Sequence, residues 1–196
     1  MIFQIGPKIS NRNTEGADKD TTFDPQAYAG HWFEIAKTPT GDPHQDHCHA
    51  ATADYTYDPD QGTIGVLNTC YSKRQAGGQV VLEPSFKIYG TAVPSEDQGV
   101  FHLTFQEYYA QPEGKGGESW VPIPVPEKAK YPALYIVYET DYENYSLVGC
   151  KGQSCFYYLQ RHRHFCDKQR AWLCEKMEHY GFNPEMTLVQ EDIFDL

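Results

Sequence analysis

From Phe23 onward the chain consists of short runs in which apolar and polar residues alternate, separated by turn residues. This period-two alternation is typical of β-strands that bury one face. The turns at 58–62, 95–99 and 151–154 each contain glycine and have lengths that suit hairpins. The predicted strands are 31–37, 51–57, 63–71, 85–93, 99–106, 133–140, 145–150 and 155–162.

Eight successive strands without interleaved helices predict an antiparallel meander. Closing such a meander into an up-and-down barrel removes both exposed edges of the sheet. The fold class that we predict is therefore all-β, an eight-stranded antiparallel up-and-down barrel.

The period of the pattern changes after the eighth run. Leu173, Met177 and Tyr180 are spaced at i, i+4 and i+7, which predicts an amphipathic C-terminal helix packed on the outside of the barrel. Gly181 has the position of a glycine that ends a helix in the left-handed conformation. A short apolar run at 186–190 could return to the barrel as a last strand.

The first 22 residues are polar and carry no periodicity. Unanchored termini of this kind are usually poorly ordered. We therefore expect a loosely ordered arm at 1–22 and a single barrel domain at 23–196.

The charge and cysteine content restrict the partners and the compartment. A formal net charge of −11 argues against binding to nucleic acid or to anionic membrane surfaces. No apolar run approaches the ~20 residues that span a bilayer, so no membrane span is predicted. Six cysteines favour an oxidising compartment, and although no signal peptide is visible we expect a secreted, extracellular protein. The oligomeric state stays open.

Three short motifs occur in order at barrel spacing. They are Gly30-His31-Trp32 on the first strand, Thr140-Asp141-Tyr142 after the sixth and Arg161 on the eighth. With the helix that follows, they make residues 23 to about 192 resemble the lipocalins, most of all the apolipoprotein D and bacterial branch. The resemblance implies a barrel closed at one end that carries a small hydrophobic ligand and performs no catalysis.

The resemblance also implies a structural role for Trp32 and Arg161. An arginine laid on the face of a tryptophan makes a compact plug for the closed end of a barrel. Such a cation–π contact is worth about 0.5–2 kcal/mol.

With Trp32 and Arg161 pointing inward, period-two alternation selects the residues that line the interior. The predicted ligand-binding set is Glu34, Ala53, Tyr55, Asn68, Phe86, Ile88, Phe101, Leu103, Phe105, Trp120, Tyr138, Tyr157 and Leu159. An apolar, aromatic cavity with a few polar groups suits a hydrophobic molecule bearing one or two oxygens. A slip of one residue would invert any strand, and these side chains could instead fill a solid barrel.

A long Gly- and Pro-rich connection at 107–131 interrupts the regular spacing of the strands. In the barrel topology it lies at the open end, together with the loops at 38–50 and 72–79. Loops of this length are usually functional or disordered. The segment could be a lid with Trp120 as its aromatic anchor, or a surface insertion without a ligand role.

The segment 41–50 places His44, His47, Cys48 and His49 within six positions. A zinc site requires three or four ligands, and no second half-motif lies nearby. We therefore predict a polar rim loop and no metal. Opportunistic metal binding by the histidines stays open as an alternative.

The cysteines can form two pairs across predicted hairpins. Folding the chain about the turn at 58–62 places Cys48 opposite Cys70, and Cys150 and Cys155 flank the turn at 151–154. Both pairs satisfy the Cα separation of less than about 7 Å that a disulfide requires. The state of the other two cysteines, in and before the helix, stays open.

Binding and transport of a lipid, retinoid, carotenoid or bilin is the function that these patterns favour, with no cofactor beyond that ligand. One alternative is an isomerase-like enzyme on the same barrel, which would need a reactive cysteine or an acid–base pair in the cavity. Glu34 is the acid predicted to face inward. Another alternative is a metal- or haem-binding lipocalin that uses the loop from His44 to His49.

Overall fold

The computed structural model describes residues 8–9, 22–40, 46–112, 119–150, 155–190 and 192–193. Its helices are α1 (Pro25–Tyr28) and α2 (Asp167–His179), with 3-10 turns at Glu127–Lys130 and Pro184–Met186. Its strands are β1 (Lys8–Ile9), β2 (Gly30–Lys37), β3 (Ala50–Asp58), β4 (Thr63–Ala76), β5 (Gln79–Pro94), β6 (Val100–Ala110), β7 (Val121–Ile123), β8 (Ala133–Thr140), β9 (Tyr145–Cys150), β10 (Phe156–Gln160) and β11 (Leu188–Val189).

The eight strands β2 to β6 and β8 to β10 form a closed antiparallel barrel. Each pairs with its neighbours in chain order, β6 pairs with β8 across the long connection, and β10 pairs with β2 to close the sheet. The predicted fold class is therefore confirmed, and each predicted strand corresponds to one strand of the barrel.

The hairpin of β4 and β5 is longer than the sequence pattern predicts. Residues 72–79 were expected to be a loop at the open end, but pairing continues to Ala76 opposite Gln79. Gly77 and Gly78 have φ values of +59° and +83°. Two successive residues with positive φ make the two-residue turn whose twist matches that of paired strands, so the expectation of a loop here is wrong.

The closed end is built around Trp32, which is fully buried. The Arg161 guanidinium carbon lies 3.6 Å from the centroid of its ring, and Nη1 and Nη2 donate to the carbonyls of His31 and Ala29 at 3.0 and 2.9 Å. Gly30 has a φ of +105°, and a β-carbon there would lie 3.0 Å from Arg161 Nη1. The geometry explains why glycine precedes tryptophan in the motif.

The Thr140-Asp141-Tyr142 motif shapes the turn beside this plug. Asp141 Oδ1 accepts from the amides of Asn144 and Tyr145 at 2.8 and 3.0 Å. Tyr142 has a φ of +64°, and its carbonyl accepts from Arg161 Nε at 3.1 Å. The motif therefore joins the turn between β8 and β9 to the closed end.

Helix α2 packs on the outside of the barrel, as predicted. Its inward residues Leu173 and Met177 are fully buried in a cluster that includes Ile35 and Phe156. Gly181 follows the helix with a φ of +81°. The short strand predicted after the helix is also present, because β11 pairs with the end of β2.

A buried carboxylate fixes this helix to the barrel. Glu139 on β8 accepts hydrogen bonds from Lys176 Nζ at 2.6 Å, Tyr145 at 2.6 Å and Tyr180 at 3.1 Å. Burial alone would raise its pKa, but the hydrogen bonds from Lys176 and Tyr145 and the charge of Lys176 outweigh burial and hold the pKa below its ordinary value. The folded state therefore favours the charged form of Glu139.

We expect acid to weaken the fold through Glu139. As the pH falls below the ordinary glutamate pKa, the unfolded chain takes up the proton first, so stabilisation present at neutral pH is lost as the pH falls through the lowered folded pKa. Glu139→Gln should cost about 1–3 kcal/mol at neutral pH.

Urea unfolding of both proteins at several pH values measures this effect. The variant should lose less stability on acidification than the wild type. Glu178→Gln, at an exposed position on α2, is the matched control. Identical acid profiles for wild type and Glu139→Gln would contradict the assignment.

Most of the expected N-terminal arm at 1–22 lies outside the described residues. Lys8 and Ile9 are described, and they pair in parallel with Glu139 and Thr140 of β8. Among the described helices none is long and apolar enough to cross a membrane.

Candidate ligand-binding cavity

The barrel encloses a cavity of about 470 Å³ that opens opposite the tryptophan plug. This volume lies within the range of about 300–1,000 Å³ found for small-molecule sites. The wall is formed mainly by apolar and aromatic side chains, with a few polar groups. The barrel is therefore not filled by its own side chains, which was the alternative that the sequence left open.

Ten of the thirteen residues predicted to bind ligand lie on this wall. They are Glu34, Ala53, Tyr55, Asn68, Phe86, Ile88, Leu103, Phe105, Tyr157 and Leu159. They come from six barrel strands, and most follow the predicted alternation between inward and outward positions. Their role in binding stays a prediction.

The other three predicted residues lie elsewhere. Phe101 faces a small inner space of about 30 Å³ nearer the closed end, where it packs against Phe23. The Trp120 ring lies 4.3 Å from Lys87 Nζ. Because Phe86 and Ile88 point inward, Lys87 and the ring that it contacts lie outside the barrel.

Tyr138 is also outside the cavity, because the predicted phase of β8 was wrong by one residue. Tyr135 and Val137 face the interior, whereas Tyr138 packs against Tyr180 and Phe182 beneath α2. The outer face of β8 is covered by the helix, so both faces of the strand are apolar. A strand buried on both sides shows no clear alternation from which to choose the phase.

Two β-bulges place residues on the wall that simple alternation misses. On β2, Leu159 pairs with Glu34 but Tyr158 pairs with Ala36, so Ile35 is the extra residue and Lys37 turns inward. Bulges reverse the phase of the strand beyond them.

The second bulge lies between β5 and β6. Gly90 pairs with Phe105 but Tyr89 pairs with Glu107, and Tyr108 therefore joins the wall. A β-carbon on Gly90 would lie 2.8 Å from both the Phe105 ring and the Thr104 carbonyl. A glycine inside a strand pattern is the sequence signal that could have indicated this bulge.

Charged groups occur on one side of the wall. Lys37 Nζ lies 3.2 Å from Glu34 Oε1, and the lysine side chain is only 2% exposed. Gln190, which follows β11, donates from Nε2 to the same carboxylate oxygen at 3.0 Å. The carboxylate therefore meets a cation and an amide donor within the cavity wall.

A row of tyrosine hydroxyls crosses the barrel at the floor of the cavity. The Tyr55 and Tyr135 hydroxyl oxygens are 3.0 Å apart, Tyr135 and Tyr28 are 3.4 Å apart, and Tyr28 is 3.0 Å from Ser146 Oγ. Burial raises the pKa of Tyr55 and Tyr135 well above the ordinary range and that of Tyr28 to about 12. The three phenols are therefore protonated at neutral pH.

The mouth of the cavity is held by both predicted disulfides, which are confirmed. Cys48 is bonded to Cys70 and Cys150 to Cys155, with Cα separations of 5.4 and 5.3 Å. All four cysteines contribute to the wall near the opening. Cys166 and Cys174 are free thiols, and both lie outside the barrel, at the start of α2 and within it.

Part of the long connection covers this mouth. Strand β7 pairs with β6, and the turn that follows it brings Pro126, Ala129 and Tyr131 onto the wall of the opening. The segment therefore lies over the cavity as a rim, but its aromatic contact is Tyr131 rather than the predicted Trp120.

The structure describes only part of the histidine-rich segment, from residue 46 onward. His44 lies outside the described residues, Cys48 is in a disulfide and His49 Nδ1 lies 3.1 Å from Asp192 Oδ2. Within the part of the chain that the structure describes, no three His, Cys, Asp or Glu side chains converge as a metal site would require.

Comparison with known proteins identifies the family. The model of the lipocalin-like domain matches residues 23–191. The chain belongs to the lipocalin family. The match does not single out the apolipoprotein D and bacterial branch that the motifs resemble.

A curated relative and two solved structures are similar to this lipocalin. The chloroplastic lipocalin of Arabidopsis thaliana is 27% identical over 171 residues, which cover 83% of this chain but only 44% of that protein. Lobster apocrustacyanin A1 has a TM-score of 0.51 at 17% identity, with 84% of this chain and 77% of that one covered. The cockroach allergen Per a 4 has a TM-score of 0.52 at 18% identity, with 94% of each chain covered. These structural likenesses concern the fold.

Proposed function

We propose that this lipocalin binds and carries one small hydrophobic molecule of the lipid, retinoid, carotenoid or bilin type. The observation that carries the proposal is the mainly apolar cavity of about 470 Å³ inside the barrel, which is open at one end. Moving an apolar ligand out of water into such a space gains roughly 25 cal/mol for each Å² of surface buried. Binding of this kind needs no chemical step, so we propose a carrier rather than an enzyme.

The mouth of the cavity supports exchange of the ligand. Its rim consists of the two disulfide-linked strand ends and the turn that carries Pro126, Ala129 and Tyr131. Tyr131 is 66% exposed, so its ring covers the opening without being held by tight packing. Such a rim can admit an apolar molecule while the strands keep their pairing.

We also propose that the protein works in an oxidising compartment, the extracellular space in the first instance. Two disulfides at the mouth support this, since disulfides persist where thiols are not kept reduced. The name of the plant relative points to another compartment for that protein. Expression in cells of the protein with a fluorescent tag tests the proposal: we expect the tagged protein in the secretory pathway and the medium, and its retention in another compartment would contradict the proposal.

Native mass spectrometry of protein from its natural source or from an oxidising host tests the carrier proposal. We expect a co-purified apolar mass or a chromophore band in the absorption spectrum, both removed by organic extraction. Extracted protein should then rebind one molecule of a lipid, retinoid, carotenoid or bilin per chain. Extracted protein that rebinds none of these four ligand classes would contradict the proposal.

A further inference from the structure

The hydroxyl row at the floor of the cavity has one more proton than its internal hydrogen bonds use. It contains the hydroxyls of Ser146, Tyr28, Tyr135 and Tyr55, and three contacts join them in that order. Each hydroxyl supplies one proton. Three contacts consume three protons, and the fourth must be directed to a group outside the row.

The direction of the row follows from the burial of its far end. Ser146 is fully buried, and among the described residues its hydroxyl contacts only Tyr28. A buried donor without an acceptor costs about 1–3 kcal/mol. Ser146 therefore donates to Tyr28, Tyr28 to Tyr135 and Tyr135 to Tyr55, so that the spare proton belongs to Tyr55.

Tyr55 stands where this proton can meet a ligand. With Tyr135 it borders both the main cavity and the small inner space, so the pair forms the floor between them. Burial keeps the pKa of both phenols well above the ordinary range, and the row therefore donates throughout the neutral range of pH.

Asn68 provides a second polar group at this floor. It pairs with Ala53 on β3, so it lies diagonally across from Tyr55, and its side chain borders the same two spaces. Diagonal neighbours on paired strands are within reach of one another's side chains. No hydrogen bond joins the Asn68 carboxamide to any other described residue, so its N–H groups are available as donors to a ligand at this floor.

We infer that the floor formed by Tyr55 and Asn68 recognises a neutral oxygen acceptor, best met by a carbonyl, at the leading end of an elongated apolar ligand. The inference rests on the proposed function and adds the orientation of the ligand and the chemistry of its buried end. The apolar body of the ligand then lies against Ile88, Leu103 and Leu159, and its other end lies at the rim of the cavity.

A carboxylate does not suit this floor. Lys37 is the one cation among the described wall residues, and it already lies 3.2 Å from Glu34. An ionised group buried without a matching charge is costly, whereas a carbonyl needs only one or two donors. The floor offers donors without a cation, and that selects a neutral acceptor.

Two fluorescent probes separate this inference from the proposed function. Prodan is an apolar naphthalene with a ketone whose emission moves to longer wavelength when the ketone accepts a hydrogen bond. Diphenylhexatriene has a similar elongated apolar shape and no oxygen. Both are titrated into wild type, Tyr55→Phe and Asn68→Leu, with folding of each protein checked by circular dichroism.

Tyr55→Phe removes one hydroxyl and keeps the ring. We expect it to weaken prodan binding by about 3–10-fold, as loss of one neutral hydrogen bond predicts, and to shift the emission of bound prodan to shorter wavelength. Diphenylhexatriene should bind both proteins within about twofold. Asn68→Leu should act on prodan in the same direction and tests the floor independently of Tyr55.

Tyr57→Phe is the matched control, because Tyr57 is on the same strand but is not part of the cavity wall. Tyr57→Phe should change neither the affinity for either probe nor the emission of bound prodan. The inference would be overturned if each variant weakened the binding of prodan and of diphenylhexatriene equally, or if the emission of bound prodan stayed unshifted in both variants. Either result would leave the carrier function intact. Failure of both probes to bind wild type would instead reject the carrier function, and the inference with it.

Discussion

Trp32→Ala is expected to lower the free energy of unfolding by about 3–5 kcal/mol, the usual cost of truncating a buried tryptophan. Trp32 is fully buried, and its Nε1 donates to the Tyr28 carbonyl at 3.0 Å. Its removal would open a void under the Arg161 guanidinium, which lies 3.6 Å from the ring centroid. Urea unfolding at neutral pH measures the loss.

The control for this prediction is Trp172→Ala on the outer helix. Trp172 is half-buried and packs edge-on against Tyr145 at a centroid distance of 4.9 Å. Its truncation should cost clearly less, because solvent can fill part of the space. A Trp32→Ala protein as stable as Trp172→Ala would show that the closed end does not depend on the plug.

Removal of the Cys48–Cys70 disulfide by paired serine substitutions should cost about 3 kcal/mol. The bond joins residues 22 positions apart, and the unfolded chain gains the entropy of that loop when the bond is absent. Chemical denaturation of the double variant under oxidising conditions gives the value.

The Cys150–Cys155 bond provides the internal comparison, since it closes a separation of only 5 residues. The loop-entropy relation gives about 2 kcal/mol for it, roughly 1 kcal/mol less than for the longer loop. Should the short loop prove to be the costlier one to open, the stabilisation would reside in the local geometry of the mouth and not in the unfolded chain.

Alternation predicted most of the cavity wall because strands such as β5 bury one face only, with Phe86, Ile88 and Ala92 buried between exposed or half-buried neighbours. The signature residues Trp32 and Arg161 set the phase for the strands beside them, and Glu34, Tyr157 and Leu159 follow correctly. The predicted phase was wrong on β8, because α2 covers the outer face of that strand. Tyr138 is apolar enough to suggest a cavity position, but it packs beneath the helix. A helix that packs on a strand cannot be recognised from the strand's own sequence.

The polar groups of the cavity were harder to predict than its apolar wall. Lys37 turns inward only because β2 carries a bulge at Ile35, and no residue type in that stretch signals it. The contact of Tyr55 with Tyr135 joins residues 80 positions apart, which alternation within single strands cannot foresee. Gly90 was a usable signal for the other bulge, and Gly77 with Gly78 for the long hairpin.

The central claim is that an apolar ligand binds inside the barrel, and blocking the cavity tests it most directly. Ala51 lies on the cavity wall, whereas Thr56 is exposed on the same strand. Ala51→Trp places an indole inside the cavity, and Thr56→Trp places the same group in solvent. The measurement is a fluorescence titration of diphenylhexatriene into wild type and the two variants.

We predict saturation at one probe per chain for wild type and Thr56→Trp, and binding by Ala51→Trp that is weaker by about tenfold or more, equivalent to about 1.4 kcal/mol. Circular dichroism establishes that both variants are folded. Binding of the probe by folded Ala51→Trp with wild-type affinity would place the apolar site outside the barrel and contradict the carrier function proposed for this cavity.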